Sequence, residues 1–300
     1  MWLISAWSKT LETALIIGYG DIGRRVAMLC RQRGWRVNAL TRQTLTATQL
    51  STAGMIGLLG DLDQPDELPL LPSDTSLIFY FAPPPSHGDG DPRLAGFLDH
   101  VSPETLPCKI IYISTSGVYG DRQGAWVTEQ SPVSPATDRA RRRVAAERLV
   151  RDWGQRNDIV TVILRVGGIY GPGRLPMERL RRGTPVLREQ DCGYTNRIHA
   201  DDLAAACMAA AQHGQGVYNV SDGHPSTMTD YFNKVADLYG LPRPAQIGLE
   251  QAPQLLGKEM MSYLTESRRL DNRRLLDELN VELIYPTLQQ GLAACLAQER

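Results

Sequence analysis

The segment Ala14-Leu15-Ile16-Ile17-Gly18-Tyr19-Gly20-Asp21-Ile22-Gly23 sets the architecture expected of this chain. Its four leading apolar residues read as a short buried strand, and Ile22 to Arg33, closed by Gly34, reads as a helix. A GxGxxG between strand and helix is a phosphate cradle. Gly18 permits the tight turn, Gly20 lets backbone approach a pyrophosphate, and Gly23 lets helix and strand pack closely. The helix N-terminus adds N–H donors and a positive end. Tyr19, Asp21 and Ile22 belong to the same turn and are counted with the glycines as dinucleotide contacts. The competing reading is a chance glycine-rich turn between a strand and a helix.

Outward from this turn, strand-like and helix-like segments alternate, the pattern of a parallel sheet covered on both faces. Strands are expected at Arg36 to Thr41, Met55 to Leu59, Leu77 to Phe81, Lys109 to Ser114, Val160 to Arg165 and Gly216 to Ser221. Helices are expected at Pro92 to Val101, Ala136 to Trp153, Thr227 to Tyr239 and Arg268 to Leu279. The fold class is therefore α/β: a doubly wound parallel Rossmann sheet of about seven strands with a smaller C-terminal α/β substrate domain. The expected division is a tail over residues 1–12, a nucleotide-binding domain over 13–171 plus 196–222, and a substrate domain over 172–195 plus 223–300.

Composition limits the function classes. A 42% apolar and 22% charged chain is ordinary for a water-soluble domain, and a net charge of −1 gives no field favouring nucleic acid or an anionic membrane. The basic run near residue 141 is short and carries no interleaved aromatics for base stacking. The cysteines Cys30, Cys108, Cys192, Cys207 and Cys295 are scattered, without metal-ligand spacing, and read as reduced thiols of a cytoplasmic protein with no metal. No membrane span or leader is expected, and a homodimer is compatible with the sequence without being indicated by any residue in it.

Cofactor choice is read at the end of the second strand. NAD-binding folds usually place an acid there to hold both ribose hydroxyls. This chain has Asn38-Ala39-Leu40-Thr41-Arg42, and Arg42 can take a 2′-phosphate where a carboxylate would repel it. NADP(H) is expected, with NAD(H) as the alternative. Thr41 and Arg42, helped by Arg24 and Arg25, would hold the adenosine end; the bland reading makes these arginines solvated surface charges. Asp61 and Leu62 after the third strand, Ala82 and Pro83 after the fourth, and Ser114 on the fifth complete the expected cofactor set.

Five ordered motifs carry a family resemblance: Gly18 to Gly23; Ser114-Thr115-Ser116-Gly117-Val118-Tyr119-Gly120; Leu164 to Gly173; Asn196-Arg197-Ile198-His199-Ala200-Asp201-Asp202; and Val217 to Ser221. Together they resemble the extended short-chain dehydrogenase/reductases, the NAD(P)-dependent epimerase/dehydratase family, over nearly all of residues 14–292. The resemblance implies a Ser or Thr after the fifth strand, at Thr115, and a Tyr and Lys one helical turn apart as proton-cycling pair. Here Arg139 and Arg143 stand in those two positions. Arginine stays protonated and cannot cycle a proton, but it can clamp an anion; the alternative pairs Arg143 with Glu147 along a solvated face.

Candidate catalytic residues are thus Thr115, with a strand-end cap as its plainer role, Tyr119, and Asp91, which a helix N-cap explains equally well. Candidate substrate contacts are Ser116, Arg139, Arg143, Tyr170 and Arg197, with Tyr194 also placed beside the cleft. His199 is read as structural. Thr195 stands where many sugar-nucleotide members carry an arginine, so the diphosphate signature is incomplete. Two functions stay open: an NADP(H)-dependent epimerase/dehydratase-like or reductase-like enzyme acting on a small oxygenated substrate, sugar or anion, and a catalytically degenerate NADP(H)-binding sensor or regulatory protein.

Overall fold

The computed structural model describes residues 12–257, 261, 264 and 266–298. Apart from Glu12, the tail expected over residues 1–12 lies outside them. Seven strands form one wholly parallel sheet: β1 Thr13–Ile17, β2 Arg36–Thr41, β3 Ile56–Leu59, β4 Leu77–Tyr80, β5 Lys109–Thr115, β6 Val160–Val166 and β7 Gly216–Val220. Their spatial order is β7-β6-β5-β4-β1-β2-β3. Each matches the sequence expectation within about one residue at either end.

Alternation of buried side chains explains the layers. From β1, Ala14 and Ile16 face helices α1 (Asp21–Gln32), α2 (Thr44–Thr52) and, further along the sheet, α5 (Ala200–His213) through Val26, Cys30, Leu50 and Leu203. Leu15 and Ile17 face the other way, onto α3 (Pro92–His100) and α4 (Asp138–Asn157) through Phe97, Leu98, Val150 and Trp153. Period-two burial on both faces requires apolar residues throughout β1, which is why Thr13–Ile17 is buried at every position.

A separate cluster joins Tyr170, Leu180 and Val186 to Tyr231, Phe232 and Val235 of α6 (Met228–Leu238) and Leu288 and Leu292 of α8 (Leu288–Gln298). The helix expected over Arg268 to Leu279 is shorter. Arg269–Leu270 is instead a strand pairing in parallel with Trp126–Val127, and α7 runs only over Arg273–Leu279. Leu270 is completely buried, and its N–H is taken by Asn196 Oδ1 at 2.7 Å, so tertiary contacts override the helical pattern.

Strand register matters for the site. Ile17 lies opposite Leu40 and Tyr80, and Thr115 opposite Val166. Gly18, Thr41, Phe81 and Thr115 therefore leave the sheet along one edge, at the carboxyl ends of the strands where open α/β sheets place ligands.

Candidate active site

Two cavities open along this edge. The first, of about 440 Å³, is lined by Gly18, Tyr19, Gly20, Thr41, Arg42, Asp61, Leu62, Ala82 and Pro83, all expected cofactor contacts. Gly18 has φ of +95°, and a Cβ there would lie 2.7 Å from the Ala82 backbone nitrogen. Gly20 has nothing within 4 Å of a built Cβ, so its backbone stands open to a ligand. The turn is therefore a cradle that fits a dinucleotide pyrophosphate. Gly23 serves packing alone, since a Cβ would meet the Gly18 carbonyl at 2.4 Å.

The cavity also recruits residues without a sequence signal. Arg93 lines it and is held by two 2.6 Å bonds to Asp63. Gln43 and Thr46 come from the start of α2. Arg24, expected from the sequence to help at the adenosine end, lines it as well, with its guanidinium 6.0 Å from the Tyr19 ring. Arg42 is largely exposed and lies 3.7 Å from the Asp61 carboxylate, leaving most of its fork to solvent.

Three expected cofactor side chains are occupied elsewhere. Ile22 is buried in the core below α1. Asp21 pairs with Arg25 and with Arg174, which lies in the loop following Gly168–Tyr170. Ser114 is buried, and its hydroxyl donates to Glu147 Oε1 at 2.6 Å, so it faces α4 rather than the glycine turn. Arg25 is likewise spent on Asp21 and Asp201.

The second cavity, of about 360 Å³, brings together Thr115, Ser116, Arg139 and Arg197 from the expected catalytic and substrate sets. Tyr194 and Thr195 also line it, as do Arg174, Glu266 and Arg268, which the sequence reading missed. Arg174 could have been found, because it follows the IYGPG motif directly; Glu266 and Arg268 could not, since only the Arg269–Leu270 strand pairing brings them here. Thr115 is both cap and site residue. Its Oγ1 accepts from Gly117 N at 3.2 Å, which leaves the hydroxyl proton for a ligand oxygen.

Several expected site residues lie outside this cavity. Tyr119 is completely buried; its phenol donates to Asn219 Oδ1 at 2.7 Å and accepts from Arg165 at 3.0 Å, and burial raises its pKa. It anchors a polar network and cannot serve the cleft as a proton donor. Tyr170 is also buried, edge-on to His199 and directly beneath Gly291. Arg143 donates to Ile113 O at 2.8 Å and Tyr112 Oη at 3.0 Å, so it neither pairs with Glu147 nor lines the cavity. Asp91 caps α3 by accepting from Leu94 N at 3.1 Å, and burial raises its pKa.

Beneath the second cavity lies a buried ion-pair network. Glu147 on α4 is inaccessible and accepts from Arg165 at 3.1 and 2.8 Å, from Arg151 at 3.0 Å and from Ser114. It ties β5, β6 and α4 together one residue from Thr115. His199 opens α5 as its cap, with Nδ1 accepting from Asp201 N at 3.2 Å, and packs between Tyr170, met edge-on, and the tilted ring of Tyr285. Burial depresses its pKa. The structural role read for it agrees with this geometry.

A parallel seven-stranded sheet with a glycine cradle at the carboxyl end of β1 defines a protein of the dinucleotide-binding fold. The model of the NAD dependent epimerase/dehydratase family matches residues 93–221. Protein YeeZ of Escherichia coli K12 is 27% identical over 296 residues, covering 92% of this chain and 97% of YeeZ. A functionally unknown conserved protein from Silicibacter pomeroyi superposes with a TM-score of 0.82 at 30% identity, over 96% of this chain and 99% of that one. MoeE5, solved with UDP-glucose and NAD, gives a TM-score of 0.74 at 23% identity over 96% and 98%, a likeness of fold. The chain belongs to the NAD-dependent epimerase/dehydratase family.

Proposed function

We propose that the protein binds NADP(H) in preference to NAD(H) and acts as an epimerase/dehydratase-like or reductase-like enzyme on a small oxygenated substrate, without the usual Tyr/Lys pair. The observation that carries this reading is the adjacency of the glycine-turn cavity to a second cavity containing Thr115. The first has Arg42 and Arg24 at its adenosine end and no acid at the end of β2. A 2′-phosphate there gains charge-assisted hydrogen bonds that a bare ribose cannot make.

The nicotinamide, when bound, supplies hydride transfer. Thr115 directs its hydroxyl proton at a substrate oxygen and polarises it. Ser116 adds a second hydroxyl, and Arg139 contributes fixed positive charge in the tyrosine's place. Arg143, in the lysine's place, is held by Ile113 and Tyr112 and cycles no proton. Proton exchange with bulk water then replaces side-chain acid–base help that is worth about 10²–10⁴-fold, so turnover is slow. The same arrangement supports a second reading, an NADP(H)-dependent sensor. Single-turnover oxidation of bound NADPH by a carbonyl substrate separates the two, since a sensor gives none.

Fluorescence titration with NADPH and NADH tests the cofactor assignment. Losing one charge-assisted contact costs about 1.5–3 kcal/mol, so Arg42→Asp is expected to weaken NADPH about 10- to 100-fold and to change NADH little. An equal loss for both cofactors refutes the role of Arg42.

A further inference from the structure

Arg197 is set apart from the other charged groups of the second cavity. It is 6% exposed and lines the second cavity, and among the described residues no carboxylate lies within ion-pair distance of it. The other arginines there are differently placed: Arg139 is exposed, Arg174 pairs with Asp21, and Arg268 pairs with Glu266 at 2.7 Å. The Arg197 guanidinium lies 3.8 Å from the Tyr231 ring centroid, which fixes its plane. Nη2 donates to Thr195 Oγ1 at 3.2 Å, and Nε is buried without a partner. Nη1 donates to no described group. It sits beside Gly168, another lining residue, where a built Cβ would come within 3.3 Å.

A buried guanidinium without a counter-ion is disfavoured, even with neighbouring dipoles. Asp222 and Asp230 stand far enough away that desolvation still outweighs their field, and burial lowers the arginine's pKa. Such an arrangement is stable in a fold that has energy to spare, and it becomes favourable when a ligand brings the missing charge. A planar fork, clamped by an aromatic face and left with an open nitrogen, suits a carboxylate or a phosphate oxygen. Glu266 lines the same cavity and leaves Oε1 buried without a donor, so a hydroxyl beside the anion would satisfy it.

We infer that the substrate is a hydroxylated organic anion, carboxylate or phosphate, whose charged group docks on Arg197 while an oxygen at its other end meets Thr115. This rests on the proposed function only in taking the second cavity as the substrate's.

The test is calorimetric titration of inorganic phosphate and of malonate, at constant ionic strength set by chloride, into wild type and Arg197→Met, with NADPH affinity measured separately on both. At least one anion is expected to bind wild type 10-fold or more tightly than the variant. Arg197→Met should retain its NADPH affinity and unfold at the same or a higher temperature, because an apolar side chain replaces an unpaired buried charge. Preference for phosphate identifies a phosphorylated substrate, and preference for malonate a carboxylated one. The difference between wild type and variant isolates this site from phosphate bound at the glycine turn, whether or not NADPH binds, so failure of the cofactor reading is seen independently. Should Arg197→Met not fold, Gly168→Ala sets a methyl group against Nη1 and is expected to weaken the anion about fivefold. No binding to wild type beyond the chloride control, or equal binding to wild type and variant, overturns the inference.

Discussion

The two cavities on the carboxyl edge of the sheet are built differently. The glycine-turn cavity is made largely of backbone and of residues next to strand ends: Gly18 to Gly20 after β1, Thr41 and Arg42 closing β2, Ala82 and Pro83 after β4. The second cavity is made mostly of side chains drawn from separate stretches of chain, including Thr115, Arg139, Arg197, Met228 and Glu266. Backbone cradles recognise what all dinucleotides share, whereas side-chain assemblies recognise what distinguishes one substrate from another. The first cavity accordingly matches its family pattern closely, and the second carries the departures.

The strongest way to break this comparison is to attack the floor of the second cavity. Glu147→Gln leaves Arg165 buried without its carboxylate and is expected to destabilise the protein by about 3–5 kcal/mol in urea denaturation. NADPH affinity extrapolated to the folded fraction should be unchanged. A loss below 1 kcal/mol would show that the network is not what fixes Thr115 (roughly the scale of an exposed pair).

A smaller effect is expected from the other side. Gly18→Ala meets both the +95° φ and the 2.7 Å approach to Ala82 N. It should cost about 1–3 kcal/mol and abolish dinucleotide binding, while anion binding at Arg197 persists. Loss of both would mean that the cavities are one site.

The smallest effect concerns His199, which packs edge-on against Tyr170 of the smaller apolar cluster. Its folded pKa is depressed below 6.5 by burial. The unfolded chain therefore binds more protons, and stability falls as pH drops through about 6.5 toward the folded value, by at most about 1.4 kcal/mol per pH unit. His199→Gln should remove that part of the slope, read as the difference between wild-type and variant denaturation curves from pH 7.5 to 5. Superimposable slopes would show that the imidazole does not titrate differently on unfolding.

Legibility in the sequence followed the same division. The seven strands and the glycine cradle were readable because their information is contiguous: period-two apolar runs and a motif whose spacing is fixed by local geometry. Arg197 was read as a substrate contact from its place within an ordered motif, and it lines the second cavity. Tyr119 was misread, since nothing in VYG reports that Asn219 and Arg165, distant in sequence, enclose its hydroxyl. Ser114 and Arg143 failed for the same reason: their partners on α4, β5 and Tyr112 are tertiary. Arg93, Glu266 and Arg268 were invisible because long-range strand pairing and helix packing bring them to the edge.

The Glu147–Arg165 network has a consequence for how such a protein changes over generations. Thr115 is the last residue of the strand that this network locks to its neighbour, so moving its hydroxyl means sacrificing the stability of the whole sheet. Tyr194, Thr195 and Glu266 belong to short outlying segments that the sheet does not need. Mutation can rewrite which molecule enters while the group that meets it stays fixed.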